Sequence, residues 1–167
     1  MPENKACVKD NHQHYMKLAI NEAKKAGQID EVPIGSLIVA ESGEVISAAF
    51  NLTISSVDPT AHAEIMAIRK AAENTGNYRL NGATLYTTIE PCIMCMGAII
   101  HARLKCVVFG AHDKKWGGAG SLYNFADDDR LNHRLEIVSE ICADECRFLI
   151  QDFFISKRKA KARQKTV

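Results

Sequence analysis

The chain has 167 residues, with 47% apolar and 25% charged side chains and a formal charge of +1. Those values suit one soluble domain with a proper core and exclude a protein that attracts polyanions through its overall charge. Basic residues are nevertheless unevenly placed: Lys157, Arg158, Lys159, Lys161, Arg163 and Lys165 put six of the 21 Lys and Arg in the last eleven positions. We therefore divide the chain into a domain over 1–156 and a basic tail over 157–167. The tail reads either as a phosphate-binding arm or as a solvated helix end.

Residues 1–15 carry six ionisable side chains before any apolar run, which argues against a secretory signal. No apolar stretch approaches the roughly 20 residues that cross a bilayer, so no membrane partner is expected. Six cysteines in a chain of this size fit reduced thiols in a cytoplasmic protein better than a disulfide framework.

In chain order, residues 14–26 place Tyr15, Leu18, Ala19, Ala23 and Ala26 on one helical stripe, with Gly27 as its stop. Residues 32–40 and 45–50 are β-rich and flank Glu41-Ser42-Gly43-Glu44, a hairpin signal. Asp58-Pro59-Thr60 predicts a helix over 58–74, from a capping acid, an early proline and Ile65, Ile68 and Ala72 at helical spacing. Gly76 ends it. A strand over 84–89, a helix over 92–103 and a short buried strand over 106–109 follow. Residues 110–121 are irregular and glycine-rich, and a fifth strand is read at 136–139. Cys146, Leu149, Ile150 and Phe153 form the stripe of a last helix. The strand–helix–strand unit over 84–109 implies a parallel pair, joined to the antiparallel hairpin. The expected fold is α/β, a three-layer α/β/α sandwich around a mixed five-stranded sheet.

Chemistry concentrates in two motifs, His62-Ala63-Glu64 and Pro91-Cys92-Ile93-Met94-Cys95. Two thiolates and one imidazole are a soft donor set for zinc, one ligand short of a closed tetrahedral site. Water can take the fourth position, and Glu64, which is not itself a ligand, can move protons to and from it. Cys92 and Cys95 stand at i and i+3 of a helix start, where unpaired backbone N–H groups favour thiolate. A lone C-x-x-C also fits a redox pair, or half of a closed structural site with Cys106, His101 or Cys142 as the fourth donor. The redox reading leaves His62 and Glu64 unexplained. Residues i and i+2 of a regular helix do not face the same way, so the convergence of His62 and Glu64 demands a specially shaped helix start. Cys106, Cys142 and Cys146 read as packing residues.

The H-x-E…P-C-x-x-C arrangement is the signature of zinc-dependent base deaminases. Around it run Val32-Pro33-Ile34-Gly35, Asp58-Pro59-Thr60, Asn77-Tyr78-Arg79-Leu80, Thr84-Leu85-Tyr86, Gly118-Ala119-Gly120-Ser121-Leu122, Asn132-His133-Arg134 and Asp152-Phe153-Phe154. In these blocks, over residues 14–158, the chain resembles the bacterial tRNA-specific adenosine deaminases, within the cytidine deaminase superfamily. The zinc motif alone would mark only the superfamily.

The resemblance implies a cytidine deaminase-like fold and a cytoplasmic homodimer with one Zn²⁺ per subunit. It further implies hydrolytic conversion of adenosine to inosine at the wobble position of a tRNA anticodon stem-loop, usually of an arginine tRNA. His62, Cys92 and Cys95 would then be the metal ligands. Glu64 would take a proton from water, protonate ring N1 and later pass a proton to departing ammonia. The same resemblance puts Asn51 and the backbone near Ala63 against the base, and Asp113 and Lys115 beside flipped nucleotides. Asn132, His133 and Arg134 match a substrate-side segment. Phe154 lies about 100° from the stripe carrying Phe153, so Phe153 is expected in the core and Phe154 against a base. The basic tail becomes an RNA-backbone contact. Gly97-Ala98-Ile99-Ile100-His101-Ala102 is apolar nearly all round and is the candidate subunit contact. Competing readings are a free-base or nucleoside deaminase acting on guanine or cytosine, and an inactive zinc-stabilised RNA-binding subunit. The chain departs from the family pattern at Lys114-Lys115-Trp116 and at the acidic run Asp127-Asp128-Asp129.

Overall fold

The computed structural model describes residues 11–164. The elements in order are α1 (His12–Gln28), β1 (Gly35–Val39), β2 (Val45–Phe50), α2 (Ala63–Thr75), β3 (Thr84–Ile89) and α3 (Ile93–His101). They continue with β4 (Cys106–Ala111), a 3₁₀ turn (Phe125–Asp127), β5 (Glu136–Val138) and α4 (Ala143–Gln164). The sheet order is β2-β1-β3-β4-β5. Strand β1 is antiparallel to both β2 and β3, while β4 runs parallel to β3 and β5. This is the mixed five-stranded sheet expected from the sequence. No described helix is long and apolar enough to cross a membrane.

The three layers follow from the period of two along each strand. Ile38, Leu85, Val107 and Phe109 face one side and pack with Ala67 and Ala71 of α2 and with Met96 and Ile99 of α3. Leu37, Val39, Tyr86, Cys106 and Val108 face the other, against Met16, Ala19 and Ile20 of α1 and Cys146 of α4. All six residues of β4 are buried, so this central strand shows a continuous apolar run rather than alternation.

Strand β1 is shorter than the 32–40 expected, α3 ends two residues early and β4 runs two residues further. Three other boundaries differ for a local reason. Gly27 does not stop α1; the helix runs to Gln28, and the left-handed residue is Asp30, at φ 68°. Asp58 does not cap α2. Its Oδ1 accepts the Thr60 N–H and hydroxyl, at 2.8 and 2.7 Å, and closes a separate turn, so the helix begins only at Ala63. Cys92 likewise stands just outside α3 as its N-cap. Gly76 does end α2, in the left-handed conformation.

At the C-terminal side, residues 157–164 continue α4 without a break; Lys165 lies outside the described residues. Lys157 pairs with Asp30 and sits 5.5 Å from the Phe153 ring centroid. Phe153 is half-buried in a groove between α1 and α4, not in the core, because the core cluster reaches no further along α4 than Leu149. Phe154 is exposed, as its angular position required. The acidic run is largely offset locally: Asp128 pairs with Arg130 at 2.6 Å, and Asp127 and Asp129 share Arg134, which leaves one net negative charge.

Helix α1 packs directly on the backbone at Gly35, where an added Cβ would lie 2.0 Å from the Ala19 carbonyl oxygen and 2.4 Å from the Ala23 nitrogen. Both neighbours are backbone and cannot rotate away. Gly35→Ala is expected to lower stability by about 1–3 kcal/mol, the usual range for overpacking, read as a lower urea midpoint. An unchanged midpoint would show that α1 does not seat on β1 in this way.

Candidate active site

The N-terminal ends of α2 and α3 meet beyond the end of β3. Each helix is preceded by an extended residue whose side chain could ligate a metal: His62 at φ −68°, ψ 151°, and Cys92 at φ −73°, ψ 174°. Because His62 lies outside the helix, its side chain is released from the angular spacing that would otherwise separate it from Glu64. The helix-start problem left by the sequence is resolved by this one dihedral change.

His62 Nδ1 stands 3.6 Å from Cys92 Sγ and 3.6 Å from Cys95 Sγ. Donors at about 2.3 Å (sulfur) and 2.0 Å (nitrogen) from a tetrahedral ion lie roughly 3.5 Å apart, so this set fits a zinc ion. Among the described residues no fourth His, Cys, Asp or Glu joins the group. The three alternative fourth donors are all misplaced. Cys106 and Cys142 pack in the α1 layer, on the opposite face of the sheet, and His101 is exposed at the far end of α3. Cys92 and Cys95 are free thiols. The set is thus one donor short of a closed structural site among the described residues, and its two sulfurs are not joined.

Charge is shared unevenly across the group. Contact with Cys95 takes the Cys92 thiol down to about 4 despite its burial, helped by His62, while the same contact, burial and Glu64 push Cys95 up. His62 is raised through its hydrogen bond with Cys92, against burial, with Glu64 adding to the rise. Glu64 is buried, and its Oε2 has no hydrogen-bond partner. Burial pushes its carboxyl up to about 7, and the Cys92 charge contributes in the same direction. An unpartnered buried carboxylate oxygen is costly, and here it sits beside three metal donors.

Two other buried glutamates behave oppositely. Glu31 accepts the Ser55 N–H at 2.6 Å, the Ser55 hydroxyl at 2.8 Å and the Asn51 amide at 3.1 Å. Glu90 accepts the backbone N–H groups of Asp113, Ala119 and Ser121 at 3.0, 3.1 and 2.9 Å. Burial pushes both carboxyls up, but these bonds outweigh it and hold both below their ordinary value. Neither residue was singled out from the sequence. The available signal was an acid flanked by apolar or strand residues, Glu31 before Val32-Pro33 and Glu90 closing the strand before Pro91.

A cavity of about 590 Å³ opens over the group, within the usual range for small-ligand sites. Ile34, Pro59, Ile89, Ile93 and Trp116 give it apolar walls, and His62, Glu64, Cys92 and Asp113 give it polar ones. Of the other residues expected at the site, Ala63 is buried at the start of α2, and Asn51 is buried with its Nδ2 fixed by Glu31 and Thr53. Lys115 is exposed on the turn that Asp113 caps.

Asn51, Ala63, Lys115, Asn132, His133, Arg134 and Phe154 do not line this cavity; of the expected substrate contacts only Asp113 does. Asn132 accepts from Arg103, His133 Nε2 bonds the Leu104 carbonyl at 2.7 Å, and His133 and Arg134 border a separate cavity of about 870 Å³. Phe154 lies on α4, in the opposite layer.

Comparison with known proteins matches this geometry to a family. The cytidine and deoxycytidylate deaminase zinc-binding region matches residues 9–111. A tRNA-specific adenosine deaminase of Haemophilus influenzae is 45% identical over 152 residues, 91% of this chain and 88% of the relative. One of Bacillus subtilis is 47% identical over 147 residues, 88% of this chain and 91% of the relative. A solved structure from studies of A-to-I editing by tRNA:A34 deaminases at the wobble position of transfer RNA is also similar. It superimposes with a TM-score of 0.78 at 43% identity, over 81% of this chain and 98% of that one. With its three donors and its buried glutamate in place, the chain belongs to the tRNA-specific adenosine deaminases of the zinc-binding cytidine and deoxycytidylate deaminase family.

Proposed function

We propose that the chain hydrolyses adenosine to inosine and ammonia at the wobble position of a tRNA anticodon, with an arginine tRNA among its substrates. It works in the cytoplasm as a homodimer holding one Zn²⁺ per subunit. The observation that carries this reading is the unpartnered, buried Oε2 of Glu64 beside the His62, Cys92 and Cys95 donors.

When bound, zinc supplies a water far more acidic than free water. Glu64 accepts a proton from water at Oε2 and delivers it to ring N1 as the water oxygen bonds C6; it then takes the proton of the new C6 hydroxyl and passes it to the amine, which leaves as ammonia as the C6–N bond breaks. A carboxyl raised by burial can hold and release that proton near neutral pH. The target base must leave its stack to reach this depth. Ile34 and Pro59 offer it apolar walls, and Asn51, its Nδ2 held by Glu31 and Thr53, would meet the purine edge through Oδ1. The basic end of α4 supports an RNA-backbone contact, since a protein with a charge of +1 must gather positive charge locally. For the dimer, Ile93, Gly97 and Ile100 on α3 line a hollow with Phe125 and Leu131, an apolar face open to a second subunit. The rival reading, a deaminase of free guanine or cytosine, is separated by substrate length. A tRNA enzyme forms inosine in an anticodon stem-loop and leaves the free base untouched.

Glu64→Ala should keep the fold and one zinc per chain while inosine formation falls by at least the ~10²–10⁴-fold that proton shuttling contributes. Nucleoside mass spectrometry of treated tRNA, with metal analysis alongside, checks this; equal product from mutant and wild type would reject Glu64 as the proton carrier. Binding to the stem-loop should weaken linearly in log salt, by about 0.7–0.9 per phosphate neutralised. Deleting 157–167 should flatten that slope, and a slope identical to wild type would remove the α4 end from the RNA contact.

A further inference from the structure

Glu90 takes no part in the proton transfers above, yet it is buried at the wall of the same cavity and lies outside the metal-donor group. Its partners come from one loop, residues 112–121. Oε2 accepts the Asp113 N–H at 3.0 Å and the Ser121 hydroxyl, and lies 3.2 Å from His112 Nδ1. Oε1 accepts the Ala119 and Ser121 N–H groups at 3.1 and 2.9 Å.

His112, Lys114, Lys115, Trp116, Gly120 and Ser121 are exposed. The other anchors of the loop lie in its second half: the backbone pairings of Gly117 with Cys92 and of Ala119 with Asn124, the Gly118 N–H to the Pro91 carbonyl at 2.8 Å, the Phe125 N–H to the Gly118 carbonyl at 3.0 Å, and the burial of Ala119 in the core. Gly117 is pressed against the same carboxylate: a Cβ there would lie 2.4 Å from Glu90 Cδ. From this anchor the order propagates outward. The Asp113 N–H is fixed by Glu90, and Asp113 Oδ1 in turn accepts the Lys115 and Trp116 N–H groups at 2.9 and 3.2 Å. Asp113 and Trp116 are the two cavity residues that this loop supplies.

We infer that Glu90 is a positioning residue: its carboxylate gathers the donors of loop 112–121 and so sets Asp113 and Trp116 as one wall of the substrate cavity. The inference rests on the deaminase reading only for what the wall contacts, namely the nucleotides around the target base. Acceptor-only chemistry is essential to the role. A glutamine would turn an N–H₂ toward backbone N–H groups that cannot accept, leaving donors unpaired.

Trp116 is the only tryptophan of the chain, so its fluorescence reports this loop without a label. The test compares full-length zinc-loaded wild type with Glu90→Gln and with the milder Ser121→Ala, well below their melting temperatures. We expect zinc content to be unchanged and the Trp116 anisotropy to decay faster in both variants. KM for an anticodon stem-loop should rise roughly tenfold in Glu90→Gln, from the loss of charge-assisted bonds, with kcat within about threefold of wild type. Ser121→Ala should shift the same way by less, and it decides the matter if Glu90→Gln fails to fold. Unchanged anisotropy in the folded variants, or an activity loss that follows loss of zinc, would overturn the inference. Should the wild type leave RNA unmodified, the functional proposal fails, while the anisotropy comparison still tests the clamp.

Discussion

The constraint on which the site depends is the meeting of two helix starts, each preceded by one extended residue. His62 and Cys92 occupy equivalent places, the last non-helical position before α2 and α3. From there each side chain points past its helix instead of around it, and the free N–H groups of both first turns face the same region. A site built this way favours negative charge before any ion arrives. Cys95, inside α3, then completes a set whose donor spacing of 3.6 Å from the imidazole matches a tetrahedral ion. The sheet contributes by holding the two helices on one face, with Leu85, Val107 and Phe109 beneath them.

Three buried glutamates surround this centre, and partners rather than burial distinguish their roles. Glu31 and Glu90 are ringed by N–H and hydroxyl donors and remain carboxylates of structural use. Glu64 lacks a partner at Oε2 and is raised toward neutrality. Desolvation acts on all three; only the supply of donors decides which one is left able to exchange a proton. The two satisfied acids each fix a loop at the rim, residues 51–55 for Glu31 and 112–121 for Glu90. In the proposed mechanism, protonation chemistry and cavity shape fall to different carboxylates.

Much of this was legible in the chain. The strands of β2 and β3 fall where β-rich runs stand, and the His62, Cys92 and Cys95 set follows from residue type and spacing alone. The start of α2 was misplaced because Asp58 has two uses, helix cap or turn closure, and Thr60 supplied the donor that selected the second. Phe153 was expected in the core because a helical stripe says which face is apolar, not how far along the helix a sheet lies beneath it. The acidic run departs from the family pattern in sequence, yet Arg130 and Arg134 pair with all three of its acids across a few residues and offset two of the three charges.

By itself, the sequence determined the elements, the mixed character of the sheet and a candidate set of metal donors, since hydrophobic periodicity and donor chemistry are local properties. Only the tertiary structure decided that His62 and Glu64 converge, that Cys106 and Cys142 stand across the sheet from the site, and that Glu31 and Glu90 are saturated while Glu64 is not. Those facts depend on which distant backbone groups arrive beside a side chain. Residue spacing along the chain carries no record of that arrival.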